Sequence, residues 1–191
     1  VNEIKIGFAI CASFCTFPRI MPILESLCKD GADVTAVFSE MAYGTDTRFG
    51  KAADWVARAE AATGKPVICT IAGAEPIGPE KRFDIIIASP ATGNTIAKLA
   101  NGITDTAVTM ACKSHLRNRR PILLGVSTND GLSASHANIG ILMNRKNIFF
   151  VPYRQDDSLN KPNSLVAEFE QIPALVRPVL QGVQAQPVLL T

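Results

Sequence analysis

The chain has 191 residues, 47% of them hydrophobic, and a formal net charge of +2. That is enough apolar material to enclose one substantial core, and too little charge to imply a nucleic-acid partner, which normally shows as a concentrated basic face. No apolar run reaches the length needed to span a bilayer, and the start, Val1 to Lys5, lacks the basic region and long apolar core of a secretory signal, so one cytoplasmic domain is expected.

In chain order, Ile4 to Ile10 predicts a strand, Arg19 to Lys29 a helix, Val34 to Phe38 a strand and Ala52 to Ala62 a helix around Trp55. Val67 to Ile71 and Asp84 to Ala88 read as strands separated by a loop rich in glycine and proline. A helix through Asn101 follows, then a second from Thr104 to Leu116, the strand Pro121 to Val126, the helix Ala134 to Asn144 and the strand Asn147 to Val151. The last helix is placed at Ser164 to Gln181, interrupted by Pro173 and Pro178, before a weakly patterned tail. Strands that are apolar throughout, not alternating, are buried on both faces. The expected fold is therefore α/β, a Rossmann-like doubly wound parallel sheet of about six strands between two helical layers.

Ligands of such sheets bind where strands end, and four segments qualify. The first is Cys11 to Pro18, where hydroxyl-bearing residues lead into a helix with an early proline, a composition suited to an anion at a helix start. Capping by Ser13 or Thr16 accounts for it equally well. Neither G-x-G-x-x-G nor the Walker pattern is present, which speaks against the usual dinucleotide or triphosphate modes. The second is Ser39, a phosphate donor or a simple cap. The third, and the most informative stretch of the chain, is Ser89-Pro90-Ala91-Thr92-Gly93-Asn94-Thr95, between an apolar burst and a restart at helical spacing. The fourth is Gly125 to Leu132, whose Asn129-Asp130-Gly131 would serve as a turn in any protein.

The segment from Ser89 to Asp105 resembles the Pro-Ala-Ser-Ala-Asn-Thr signature of the flavoprotein family that contains the homo-oligomeric FMN-dependent cysteine decarboxylases, and the likeness extends from about Ile4 to Pro152. The resemblance implies one flavoprotein-like domain over 1–191, with a C-terminal helix and tail from about 163. It implies FMN at the strand ends, its phosphate near the first loop and the serine after the second strand, its ring near the signature turn at a subunit contact. Residue by residue this points to Ala12, Ser13, Ser39, Pro90, Ala91, Thr92 and Asn94 for the cofactor. The family's Pro-x-Met-Asn motif, whose asparagine holds the substrate carboxylate, aligns with Val126-Ser127-Thr128-Asn129, making Asn129 the catalytic candidate. The decarboxylases use a histidine between the second strand and the signature; this chain has only His115 and His136, which decides against decarboxylation as the leading idea.

A narrower likeness rests on Glu75 to Pro79, Leu116 to Pro121, Ser127 to Gly131, Lys146 to Pro152 and Lys161 to Ser164. These segments are similar to a branch of the family found in spore-forming bacteria. It implies an oxidoreductase subunit that works, in the mother cell, with an NAD(P)-dependent dehydrogenase subunit to oxidise a dihydro- or hydroxytetrahydropyridine dicarboxylate to its aromatic form. Family analogy adds a homo-oligomer of trimers or their multiples. A scaffold that has lost its flavin and an FMN-dependent decarboxylase with an unusual acid/base group are the alternatives.

The remaining chemistry-bearing residues have plainer readings. Lys113, Arg117, Arg119 and Arg120 form the densest basic cluster, but at the amino end of a strand, so a surface or subunit contact is expected, with His115 beside it at the surface. Five cysteines, odd in number and scattered at 11, 15, 28, 69 and 112, read as reduced thiols and not as a disulfide framework or zinc site. Cys11 and Cys15 are not spaced as C-x-x-C and read as inert packing. Trp55, Phe149 and Phe150 read as core or interface.

Overall fold

The computed structural model describes residues 3–191. Five parallel strands, β1 (Lys5–Ile10), β2 (Asp33–Phe38), β3 (Ile85–Ala91), β4 (Ile122–Thr128) and β5 (Ile148–Phe150), lie in the order β2-β1-β3-β4-β5. All seven residues of β3 are buried, as are the last five of β1 and β2. Continuous burial is what an unbroken apolar run specifies when helices cover both faces.

The helices are α1 (Phe17–Lys29), α2 (Glu40–Gly44), α3 (Ala52–Thr63), α4 (Ile71–Ala74), α5 (Gly93–Asn101), α6 (Ala107–Leu116), α7 (His136–Met143) and α8 (Ile172–Leu180). One group, α1 with α3 and α8, and another, α4 to α7, make their helix–helix contacts separately, as two covering layers do. Phe8, Phe17, Phe38, Phe150 and Phe169 are buried completely or nearly so; each is worth about 2–3 kcal/mol in apolar area removed from water. No helix among the described residues is long and apolar enough to cross a membrane.

Two expectations are corrected. Val67 to Ile71 does not form a strand: only Ile68 bridges to Val37, because the Thr70 hydroxyl accepts from Gly73 N and turns the chain into α4. The last helix starts at Ile172, not Ser164, with Pro173 in its first turn, where a missing N–H costs nothing, and Pro178 inside it. Ahead of it lie two short strands, β6 (Tyr153–Arg154) and β7 (Leu165–Ala167). β7 pairs antiparallel with β6 and with the end of β4, Ser127 opposite Val166 and Thr128 opposite Leu165. The sheet is therefore mixed and mostly parallel. Its antiparallel extension stands on the carboxyl end of β4.

Candidate functional site at the strand ends

The four strand-end segments converge. Ser39 N donates to Ile10 O (3.0 Å) and Cys11 N to Pro90 O (3.3 Å), joining the ends of β2, β1 and β3. The hydroxyls of Ser13 and Ser127 lie 2.8 Å apart, tying the first loop to the end of β4. The β3–β4 register shifts between Ala88 and Ala91, where Pro90 has no N–H to give the ladder, and resumes with Ala91 opposite Val126.

Local chemistry fixes each turn. Neither Ser13 nor Thr16 caps a helix through its side chain; Thr16 Oγ1 donates to Ser13 O (2.7 Å). Ser39 caps α2, accepting from Ala42 N, and Thr92 caps α5, accepting from Thr95 N. The turn after β4 is organised by the Asp130 carboxylate, which accepts from Thr128 Oγ1 and from Ser135 Oγ. Gly93 packs against this turn so closely that a Cβ there would lie 2.5 Å from Ser135 Oγ and 2.8 Å from Asp130 Oδ1. The start of α5 and the turn that carries Asn129 are thereby in direct packing contact.

Two hollows open on this edge and share Ala12 and Thr92. The larger, about 590 Å³, runs over Ser13, Ser127, Thr128 and Asn129, with Phe14, Phe49, Leu165 and Val166 as apolar walls. The smaller, about 250 Å³, is lined by Ser39, Asn94 and Lys98 together with Glu40 and Asp105. Both carboxylates have partners: Glu40 Oε1 accepts from Ala107 N (3.0 Å), and Asp105 pairs with Lys98 Nζ at 2.8 Å. The structure thus gathers Ala12, Ser13, Ser39, Thr92, Asn94 and Asn129 around one edge. Pro90 and Ala91 line neither hollow; both are buried in β3 behind it.

Sequence reasoning assigned no role to the connection between β6 and β7, which brings Asp156, Lys161 and Ser164 to the larger hollow. Lys161 Nζ lies 3.2 Å from Asp156 Oδ2. Burial raises the Asp156 pKa, but hydrogen bonds from Ser164 and Lys161 more than offset this and leave it below the ordinary carboxylate range. The polar run just before Pro162 was the available signal.

Elsewhere, the basic cluster lies away from both hollows. Arg120 bonds to the carbonyls of Lys81 and Phe83 and pairs with Asp84. His115 is not at the surface: it is 1% exposed, on the buried face of α6 with Ala111 and Cys112. Its Nε2 bonds Pro121 O (3.0 Å), and burial pushes its pKa down to about 4. Burial likewise raises Cys11 to about 11 and Cys112 above its usual value, so both are inert thiols, whereas Cys15 is exposed at the larger hollow. No histidine lines either hollow, and among the described residues no group of His, Cys, Asp and Glu is placed to hold a metal.

The sequence profile of the flavoprotein family matches residues 1–183. The B subunit of dipicolinate synthase from Bacillus subtilis is 44% identical over 186 residues, 97% of this chain and 93% of that protein. The crystal structure of the corresponding dipicolinate synthase chain from Bacillus halodurans superposes with a TM-score of 0.91 at 39% identity, covering 100% of this chain and 97% of that one. The FMN-dependent cysteine decarboxylase SpaF shares the fold, with a TM-score of 0.67 at 17% identity over 94% and 97% of the two chains. With this edge, this topology and these likenesses, the chain belongs to the flavoprotein family and, within it, to the group of dipicolinate synthase B subunits.

Proposed function

We propose that the chain works with the nicotinamide-dependent A subunit of dipicolinate synthase to oxidise a dihydro- or hydroxytetrahydrodipicolinate to dipicolinate, in the cytoplasm of a spore-forming bacterium, as one component of an oxidoreductase. The observation that carries this reading is the convergence of four strand-end segments on two hollows sharing Ala12 and Thr92.

The donor set suits FMN. In the smaller hollow, the Ser39 oxygen accepts from Ala42 N and leaves its proton to donate, and Asn94, Lys98 and the first turn of α5 add donors of the kind a phosphate needs. In the larger, Phe14, Phe49, Leu165 and Val166 give a flat ring apolar walls, while Ser13, Ser127 and Thr128 give its polar edge hydroxyls. Ala12, Ser13, Ser39, Thr92 and Asn94 would hold the group, with Pro90 and Ala91 shaping the strand end behind it. When bound, FMN supplies a two-electron acceptor.

The chain's own residues bind and orient. Asn129 stands exposed on the rim, and its side-chain amide makes no hydrogen bond within the described chain, so it is free to donate to a substrate carboxylate. With no histidine in either hollow, decarboxylation of a cysteine-type substrate lacks the acid/base group that the related decarboxylases use. One observation favours a second reading, a scaffold without flavin: Glu40 and Asp105 put two carboxylates against one ammonium where the phosphate would sit.

The test is reconstitution with the nicotinamide-dependent partner and a visible spectrum. Dipicolinate formation is expected to rise above that of the partner on its own, with flavin absorption after FMN is added. No rise refutes the proposal. A rise with a protein that ignores FMN keeps the chain in the synthase and replaces the flavin by the scaffold.

A further inference from the structure

We propose that Lys161 is the charge that selects a dicarboxylate at this site, held by Asp156 until the substrate's second carboxylate takes its ammonium; the inference rests on the reading above. Among the residues lining the larger hollow, Lys161 is the one cation and Asp156 the one carboxylate. A monocarboxylate is satisfied by neutral donors such as the Asn129 amide. A dianion entering this hollow beside the flat ring needs a full positive charge as well, because desolvating a second carboxylate without one is costly.

Position supports the role. Lys161 sits on the connection between β6 and β7, which is braced internally: Lys161 N donates to Asp157 O (2.8 Å), Ser164 N to Lys161 O (3.0 Å) and Gln155 Nε2 to Pro162 O (2.8 Å). It is also stitched to the Asn129 turn. Leu132 N donates to Asn163 O (2.9 Å), and Gly131 lies so close to Leu165 that a Cβ there would stand 2.6 Å from Leu165 Cγ. Asn129 and Lys161 therefore share one rim. Ser13 and Ser127, which line the same hollow, use one proton between them at 2.8 Å, which leaves the other hydroxyl proton to donate. A substrate bearing two carboxylates finds an ammonium and an amide donor together on that rim.

Asp156 explains why so exposed a lysine keeps a place. The Lys161 side chain is 58% exposed, and its 3.2 Å contact to Asp156 pre-sets it over the hollow. A surface pair of this kind is weakly held, so a substrate carboxylate competes for the ammonium without a large penalty.

The experiment is calorimetric titration of the isolated chain with dipicolinate and with picolinate, its monocarboxylate counterpart, for wild type, Lys161→Gln, Lys161→Arg and Asp156→Asn. Wild type is expected to prefer dipicolinate by about tenfold, the value of one charge-assisted contact partly open to water. Lys161→Gln should lose that preference while keeping its picolinate affinity, Lys161→Arg should restore most of it, and Asp156→Asn should bind dipicolinate at least as tightly as wild type. Equal dipicolinate binding by wild type and Lys161→Gln overturns the proposal, and so does a wild-type chain that binds neither ligand. A scaffold would still stimulate its dehydrogenase partner without binding dipicolinate, so this outcome is separable from reconstitution.

Discussion

His115 should make the protein acid-sensitive in a pH range where carboxylates do not yet titrate. The imidazole is 1% exposed, and its Nε2 faces the Pro121 carbonyl at 3.0 Å, so in the native protein it is neutral with Nε2 protonated. Burial lowers its pKa from 6.5 to about 4, a shift the nearby Arg120 charge reinforces and the Pro121 bond and Asp84 oppose. The sign follows from the order of the two values: the unfolded chain takes up a proton as pH falls through 6.5, the native one only near 4, so stability is full above 6.5 and declines between them. At pH 5 the deficit is about 2 kcal/mol relative to pH 7.5, at about 1.4 kcal/mol per unit separating pH from the unfolded pKa. Urea unfolding at both pH values measures it, and one cooperative transition is expected if residues 1–191 form one domain. His115→Gln keeps a donor toward Pro121 O and removes the titration. Because the variant retains every carboxylate, the difference between the two proteins isolates the imidazole. Equal losses of stability in variant and wild type between pH 7.5 and 5 would refute the argument.

Four further outcomes are expected. Gly93→Ala forces a Cβ within 2.8 Å of both Ser135 Oγ and Asp130 Oδ1; it should cost about 1–3 kcal/mol in denaturant unfolding and weaken any ligand held by Asn129. Ser89 Oγ is buried with no hydrogen-bond partner, so Ser89→Ala should be neutral or raise stability by up to about 1 kcal/mol in the same assay. Thr106 and Thr109 form a reciprocal capping box on α6; Thr106→Ala should lower stability by about 1 kcal/mol. Hydrogen exchange should be faster in the three-residue β7 and two-residue β6 than in the buried strands β1 to β3, and dipicolinate should slow it there first.

The parallel core was legible because burial on both faces imposes one simple signal, an unbroken apolar run, and β1, β2, β3 and β4 carry it. Val67 to Ile71 carried a similar signal and is not a strand, because a single hydroxyl, Thr70, offers the backbone a competing turn. Leu165–Ala167 was hidden for another reason. Three residues have no readable period, and their partner, β4, lies nearly forty positions earlier. His115 was misjudged from its basic neighbours, although it follows Ala111 and Cys112 at helical spacing on the face of α6 that is buried. The rule that strand ends face ligands picked out the segments that hold Ser13, Ser39, Thr92 and Asn94, which line the hollows, whereas Lys161 is brought to the same edge by the tertiary pairing of β7.

That division has a chemical consequence. The smaller hollow is built from the ends of β1, β2 and β3 with the starts of their helices, parts supplied by the parallel sheet itself. The larger hollow depends on the antiparallel extension: β7 pairs with only the last two residues of β4, and in doing so places Leu165 and Val166 as a wall, with Lys161 and Asp156 just ahead of them. The extension is fastened from outside by ion pairs of Arg19 with Glu168 and Glu170, and of Arg154 with Glu168. All of these are partly exposed, so each adds less than about 1 kcal/mol. On the proposed reading, the substrate's second charge is met on the more weakly attached part of the sheet and the cofactor's phosphate on the more rigid part. The proposed role, admitting and releasing a small dianion while a larger group stays in place, would be served by that arrangement, which follows from where the chain stops running parallel.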